Sequence, residues 1–127
     1  MRKLKIAKSE INYLNDLLSK NKGRDEVHAK CFNKLRTELQ LAEVIDDEDL
    51  PSSVIRMNSF IDIGTPMGEK KAYQLVIPEE GNFQSKKISI LSPIGTALIG
   101  YEEGDTVTWI FPNGEKEIKI LKVYTKD

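Results

Sequence analysis

Apolar residues recur along the first third of the chain at helical spacing. From Ser9 onward, Ile11, Leu14 and Leu18 fall at three- and four-residue steps, with Leu17 broadening the stripe. This predicts a first helix, capped by Ser9 and ending near Lys20. Asn21-Lys-Gly-Arg-Asp25 is polar and contains Gly23, so it reads as a tip short enough to turn the next helix antiparallel. In that second helix His28, Phe32, Leu35, Leu39 and Ala42 alternate four- and three-residue steps, the pattern of a seam between two helices. Residues 9 to 45 therefore predict a short N-terminal antiparallel helical hairpin.

The helical pattern stops at Asp46-Asp-Glu-Asp49, where adjacent acids repel and disfavour a helix C-terminus, and Leu50-Pro51 resists helical geometry. A domain boundary is placed there, giving a hairpin over 1–49 and a second unit over 50–127. The acid run itself reads as a solvated hinge. Beyond it, Ile55, Met57, Ile61 and Ile63 alternate as in a strand, Gly64-Thr-Pro-Met-Gly68 reverses the chain, and Tyr73, Leu75 and Ile77 share a face of a second strand. Glu79 to Lys87 is polar and predicts a loop with at most one helical turn, leading to a strand from Ile88 to Leu91. Thr106–Phe111 and Lys116–Tyr124 predict a hairpin across Pro112-Asn-Gly-Glu115, where Asn113-Gly114 favours positive backbone angles. In its second strand Ile118 and Ile120 share one side while Leu121 and Val123 take the other, which calls for a bulge near Leu121 or burial on both sides.

Between these strands lies Leu91-Ser-Pro-Ile-Gly-Thr-Ala-Leu-Ile-Gly100. Ser92 supplies an N-cap oxygen, Pro93 suits the first helical position, and Gly100 can end the turn left-handed, so a short helix sits on the sheet. The whole is an α+β fold, a helical hairpin followed by a twisted, mostly antiparallel sheet with one short helix.

Charge excludes one class of partner. Nineteen Lys plus Arg against twenty Asp plus Glu leave a formal net charge of −1, so no global field draws the chain onto nucleic acid. Cys31 is the single cysteine, which excludes an internal disulfide and fits a reducing compartment; its helical setting reads as a small packed residue. Lys8, Ser9 and Glu10 interrupt any apolar core of a signal peptide, and no stretch approaches the roughly 20 apolar residues of a membrane span. A cytoplasmic location without membrane contact is expected.

The segment Ser92-Pro-Ile-Gly-Thr96, followed by Leu98-Ile-Gly100 and an acidic Glu-Glu-Gly turn, resembles the C-terminal domain of the Gre transcript-cleavage factors. Val54-Ile-Arg-Met-Asn-Ser59, Leu75-Val-Ile-Pro78 and Thr108-Trp-Ile-Phe-Pro-Asn-Gly114 resemble a narrower branch, the Rnk-type regulators of nucleoside diphosphate kinase, which join a Gre-like domain to a shortened hairpin. The resemblance covers about residues 54 to 127. It implies an FKBP-like C-terminal fold and, as partner, bacterial RNA polymerase at the rim of its secondary channel, with any nucleic-acid association indirect. It further implies polymerase-binding residues Ser92, Pro93, Ile94, Gly95 and Thr96. Leu91 stands where Gre factors commonly carry an acid.

In Gre factors acids at the hairpin tip help hold a magnesium ion that activates water for RNA cleavage. Here the tip is Gly23, Arg24, Asp25 and Glu26; its acids are expected to stabilise the start of the second helix instead. A first helix of about twelve residues spans only about 18 Å, and Arg24 beside the acids weakens a cation site. His28 is the sole histidine, so no multi-histidine centre can form; it is expected at the edge of the helical seam. Gly64 and Gly68 lack the helix and lysine of a phosphate-binding loop. The expectation is a non-enzymatic polymerase-binding regulator with no catalytic residue, metal, cofactor or small-molecule substrate. The alternatives are a short-armed cleavage factor, an adaptor acting on nucleoside diphosphate kinase without polymerase contact, and a prolyl isomerase whose pocket would use Tyr73, Trp109 and Phe111.

Overall fold

The computed structural model describes residues 3–111 and 114–125. Among the described residues, three α-helices and seven strands are ordered as β1 (Lys5–Ala7), α1 (Lys8–Lys20), α2 (Glu26–Gln40), β2 (Glu43–Ile45), β3 (Phe60–Thr65), β4 (Gly68–Val76), β5 (Lys87–Ser89), α3 (Pro93–Leu98), β6 (Thr106–Phe111) and β7 (Gly114–Tyr124). A curled five-stranded sheet has the order β5-β4-β3-β7-β6, antiparallel except where β5 lies parallel to β4. Strands β1 and β2 form a separate parallel pair that brackets the first two helices.

The apolar stripes read from the sequence meet in one cluster. Leu14 and Leu18 of α1, with Phe32, Leu35 and Leu39 of α2, are buried in the same core as Ile61 and Ile63 of β3, Leu75 of β4 and Leu98 of α3. Burying such side chains contributes about 1.5–3 kcal/mol each, so the helices are held on the sheet mainly by this face. Arg36 of α2 adds a polar tie, donating from Nη2 at 2.7 Å to the carbonyls of Leu18 and Asn21 and so closing the end of α1.

Several boundaries differ from expectation, each for a local reason. Strand β1 runs straight into α1, so Ala7 occupies the N-cap and Ser9 lies inside the helix. Residues 43–45 leave the helical pattern to pair with β1. The strand expected from Ile55 starts only at Phe60, because Asn58 turns the chain at φ 73° and Ile55 pairs with Gly100 and Tyr101 instead. The loop expected over 79–87 with at most one turn carries two single 3-10 turns, Pro78–Glu80 at its start and Phe83–Ser85 within it, and these take the chain across to its parallel position.

In β7 the bulge falls at Leu121: Lys122 pairs with Asp62 and Ile120 with Ile63, skipping Leu121. The extra residue restores the register, so Ile118, Ile120 and Val123 are all buried while Leu121 is exposed. Phe111 pairs with Gly114 as the expected hairpin requires, although Pro112 and Asn113 lie outside the described residues.

Candidate functional site

The helix read from Ser92-Pro93 is α3. Ser92 is its N-cap, its Oγ accepting the Gly95 N–H at 3.1 Å and donating to the Ser89 carbonyl at 2.7 Å. Pro93 occupies the first helical position, and Gly100 follows the helix at φ 83°. Gly100 is needed for a second reason, since a Cβ there would lie 2.9 Å from side-chain atoms of Leu4 and Ile6. The helix thus starts against Ser89 at the end of β5 and ends against Leu4 and Ile6.

Its exposure departs from the expectation of a free five-residue corner. Ser92 and Pro93 are half-buried, but Ile94, Gly95 and Thr96 are buried. The helix α2 packs directly on α3, and Gly95 faces the Ser89 and Ile90 backbone on the side of β5. Thr96 hydrogen-bonds within α3 to the Pro93 carbonyl at 2.9 Å and also meets the Cys31 thiol of α2. Burial pushes that thiol up from its ordinary value, with the Thr96 contact pulling the other way, and only 3% of Cys31 is exposed. Cys31 is a packed residue, as its helical setting predicted. Of the sequence-derived corner, only Ser92 and Pro93 present surface.

The tip residues come to the same place. Asp25 caps α2, its Oδ1 accepting the His28 N–H at 2.8 Å, while His28 Nδ1 lies 2.9 Å away. These contacts, the backbone one foremost, hold the Asp25 carboxyl below the usual carboxylate range. The His28 ring packs edge-on against Phe32 at 6.1 Å. Asp25, Glu26 and His28 form one wall of a cleft of about 780 Å³ whose other wall includes Pro93, Ile94 and Trp109. Arg24 is exposed, and Gly23 bends at φ 85° against the Ala29 backbone.

Phe83 completes the cleft and was missed in the sequence, although a lone aromatic in an otherwise polar loop is the signal that marks it. Tyr73 does not line this cleft; its ring lies 5.2 Å from Phe83, and the Phe111 side chain lies outside the described residues. The aromatic trio expected for an isomerase pocket is therefore not brought together here: Trp109 lines the cleft and Tyr73 does not.

The acid run is also not a free hinge. Asp47 accepts the Ser9 N–H at 3.0 Å and the Ser9 hydroxyl, and Arg56 Nη2 donates to it at 2.8 Å. Glu10 takes Arg56 Nε and the Met57 N–H, both at 3.1 Å. No group of three or more His, Cys, Asp or Glu side chains that could hold a metal occurs among the described residues.

Residues 50–125, the part that carries α3 and the sheet, match the family described as transcription elongation factor, GreA/GreB, C-terminal. The chain belongs to the GreA/GreB family. It is 41% identical over 97 residues to transcription elongation factor GreA of Helicobacter hepaticus, covering 76% of this chain and 60% of that one. It is 35% identical over 116 residues to GreA of Bartonella tribocorum, covering 91% of this chain and 69% of that one. The chain thus spans about 60% of the Helicobacter relative's length. A solved GreA/GreB elongation factor from Nitrosomonas europaea superposes with a TM-score of 0.77 at 31% identity, covering 98% of this chain and 99% of that one. The mixed α+β architecture is therefore a GreA/GreB fold over nearly the whole chain, and no described helix is long and apolar enough to cross a membrane.

Proposed function

We propose that this GreA/GreB family member is a cytoplasmic, non-enzymatic regulator that binds bacterial RNA polymerase near its secondary channel and does not stimulate transcript cleavage. Its organisation on this reading is a short antiparallel helical arm over 1–49 and an FKBP-like unit over 50–127. Ser92 and Pro93 supply the exposed part of the docking corner, while Ile94, Gly95 and Thr96 support it from below.

One observation carries the absence of cleavage: the tip acids Asp25 and Glu26 share a cleft with Pro93 and Ile94. A cleavage-stimulating arm has to deliver carboxylates to a distant active centre while its other end holds the rim. Helices of 13 and 15 residues reach only about 20 Å, and here α2 packs on α3 and β6 of the unit that would dock. Asp25 is moreover engaged as the α2 cap.

The test of docking is a pull-down with core polymerase. Pro93→Asp is expected to remove binding while circular dichroism stays native, because an acid is tolerated at a helix start. Unaltered binding would exclude this surface. The relatives named as elongation factors favour a second reading, a short-armed factor that does stimulate cleavage. Asp25-dependent RNA shortening separates the two.

A further inference from the structure

We infer that the outer edge of β2 takes an extended, lysine- or arginine-bearing segment of the polymerase as a third strand beside β1 and β2. This rests on the polymerase-binding reading and adds a contact that shares no residue with the Ser92-Pro93 corner.

The register leaves backbone groups for such a strand. In the parallel pair Glu43 and Ile45 turn their peptide groups to β1, the Glu43 N–H donating to the Leu4 carbonyl at 2.8 Å, so the N–H and C=O of Val44 point the other way. Among the described residues no strand or isolated bridge occupies that side of β2. The five-stranded sheet guards its own edge at β5, where Asn82 and the outward-facing Lys87 exchange two N–H to carbonyl bonds of 2.9 Å. Strand β2 has no such cover, and Glu43-Val-Ile45 carries neither the proline nor the lysine that commonly blunts an edge. Leu41 and Val44 are 53% and 48% exposed, apolar surface that an added strand covers.

Charge selects the strand. Asp47 is taken up by Ser9 and Arg56, but Glu43 on β2 and Asp46, Glu48 and Asp49 directly after it are all exposed. Lys5 of β1 is ion-paired with Glu102, and Lys8 lies 4.0 Å from Asp46. The four remaining acids outweigh Lys3 and Lys8, so the edge is negative and favours a cationic strand. A second copy of the chain would set two such acidic edges side by side, which repulsion opposes.

The experiment measures affinity of the full chain for core RNA polymerase at two ionic strengths, with thermal melts to check folding. The variants are Pro93→Asp, Val44→Pro, Val44→Thr, and Glu43→Gln combined with Asp46→Asn. Val44→Pro suits the fold, because the N–H it removes faces outward from an edge strand. It is expected to weaken binding about tenfold, while Val44→Thr, which keeps that donor, stays within about twofold of wild type. The doubly neutralised variant is expected to bind more weakly with a flatter salt dependence. Wild-type affinity in a folded Val44→Pro, or wild-type affinity and salt dependence in the neutralised variant, would overturn the inference; loss of binding in Pro93→Asp alone would leave the docking reading standing. If Val44→Pro does not fold, the neutralised variant decides by itself. Wild-type protein that fails to bind would end both readings. Sedimentation covers another occupant: self-association abolished by Val44→Pro, with polymerase affinity unchanged, would assign the edge to a second copy of the chain and overturn the proposal.

Discussion

Asp47 caps the start of α1 from 38 residues beyond Ser9, accepting both the backbone N–H and the hydroxyl of that residue. The first N–H groups of α1 have no partner within the helix, and Ala7 at the N-cap offers no side-chain oxygen. Asp47 supplies one from the segment after β2 and is itself held by Arg56.

This arrangement makes stability pH-dependent in a defined window. The Ser9 hydroxyl above all, then the Ser9 N–H and Arg56, hold the Asp47 carboxyl down to about 2 from an ordinary 3.8. Because the folded-state value is the lower one, the contribution is complete above the unfolded value and is lost as pH falls through about 2. Asp47→Asn is expected to lower the melting temperature at about pH 6, with the gap to wild type narrowing below about pH 4 and closing near pH 2. A gap independent of pH would show that the carboxylate charge is not what matters.

Tyr101 and Glu38 form the polar joint between α2 and the sheet unit. The Tyr101 hydroxyl donates to Glu38 Oε2, which Lys34 also approaches at 3.1 Å, while the buried Oε1 has no protein partner. Glu38 is only 9% exposed. Tyr101→Phe is expected to cost about 1–3 kcal/mol in urea unfolding, because it strips a partner from a buried carboxylate. Adding Glu38→Met is expected to recover most of that loss, and the double-mutant cycle reads the coupling directly.

Gly95 marks the closest approach in the corner. A Cβ there would stand 2.1 Å from the Ser89 carbonyl oxygen, and backbone on both sides leaves no flexible atom to move. Gly95→Ala is expected to cost about 3 kcal/mol, measured as a fall in the urea midpoint. Ser92→Ala removes the cap together with the hydroxyl's bond to the Ser89 carbonyl and is expected to cost about 1 kcal/mol.

What the sequence revealed follows from the range of the forces involved. The α3 corner was legible because Ser92, Pro93 and Gly100 act within a few residues of one another. The change of face at Leu121 was legible because strand alternation is strict, although it left a bulge and burial on both sides as alternatives until the register showed the bulge. The pairing of β1 with β2 was not, since three-residue strands carry no period and their partners lie far apart in the chain. Ser9 read as a cap because local chemistry favours it there; only the strand running directly into α1 moves it inside. The helical stripe of α2 was visible, but not that it would cover Ile94 and Thr96 and bring Asp25 beside Pro93. That contact depends on how two separately legible parts pack.

The central claim, a protein that occupies the polymerase rim without delivering acids to the active centre, is tested most directly on stalled elongation complexes carrying labelled RNA. Added alone, the chain is expected to leave the RNA length unchanged; added before a full-length GreA, it is expected to slow the shortening which that factor causes. Rapid shortening by this chain alone, abolished by Asp25→Ala, would contradict the account.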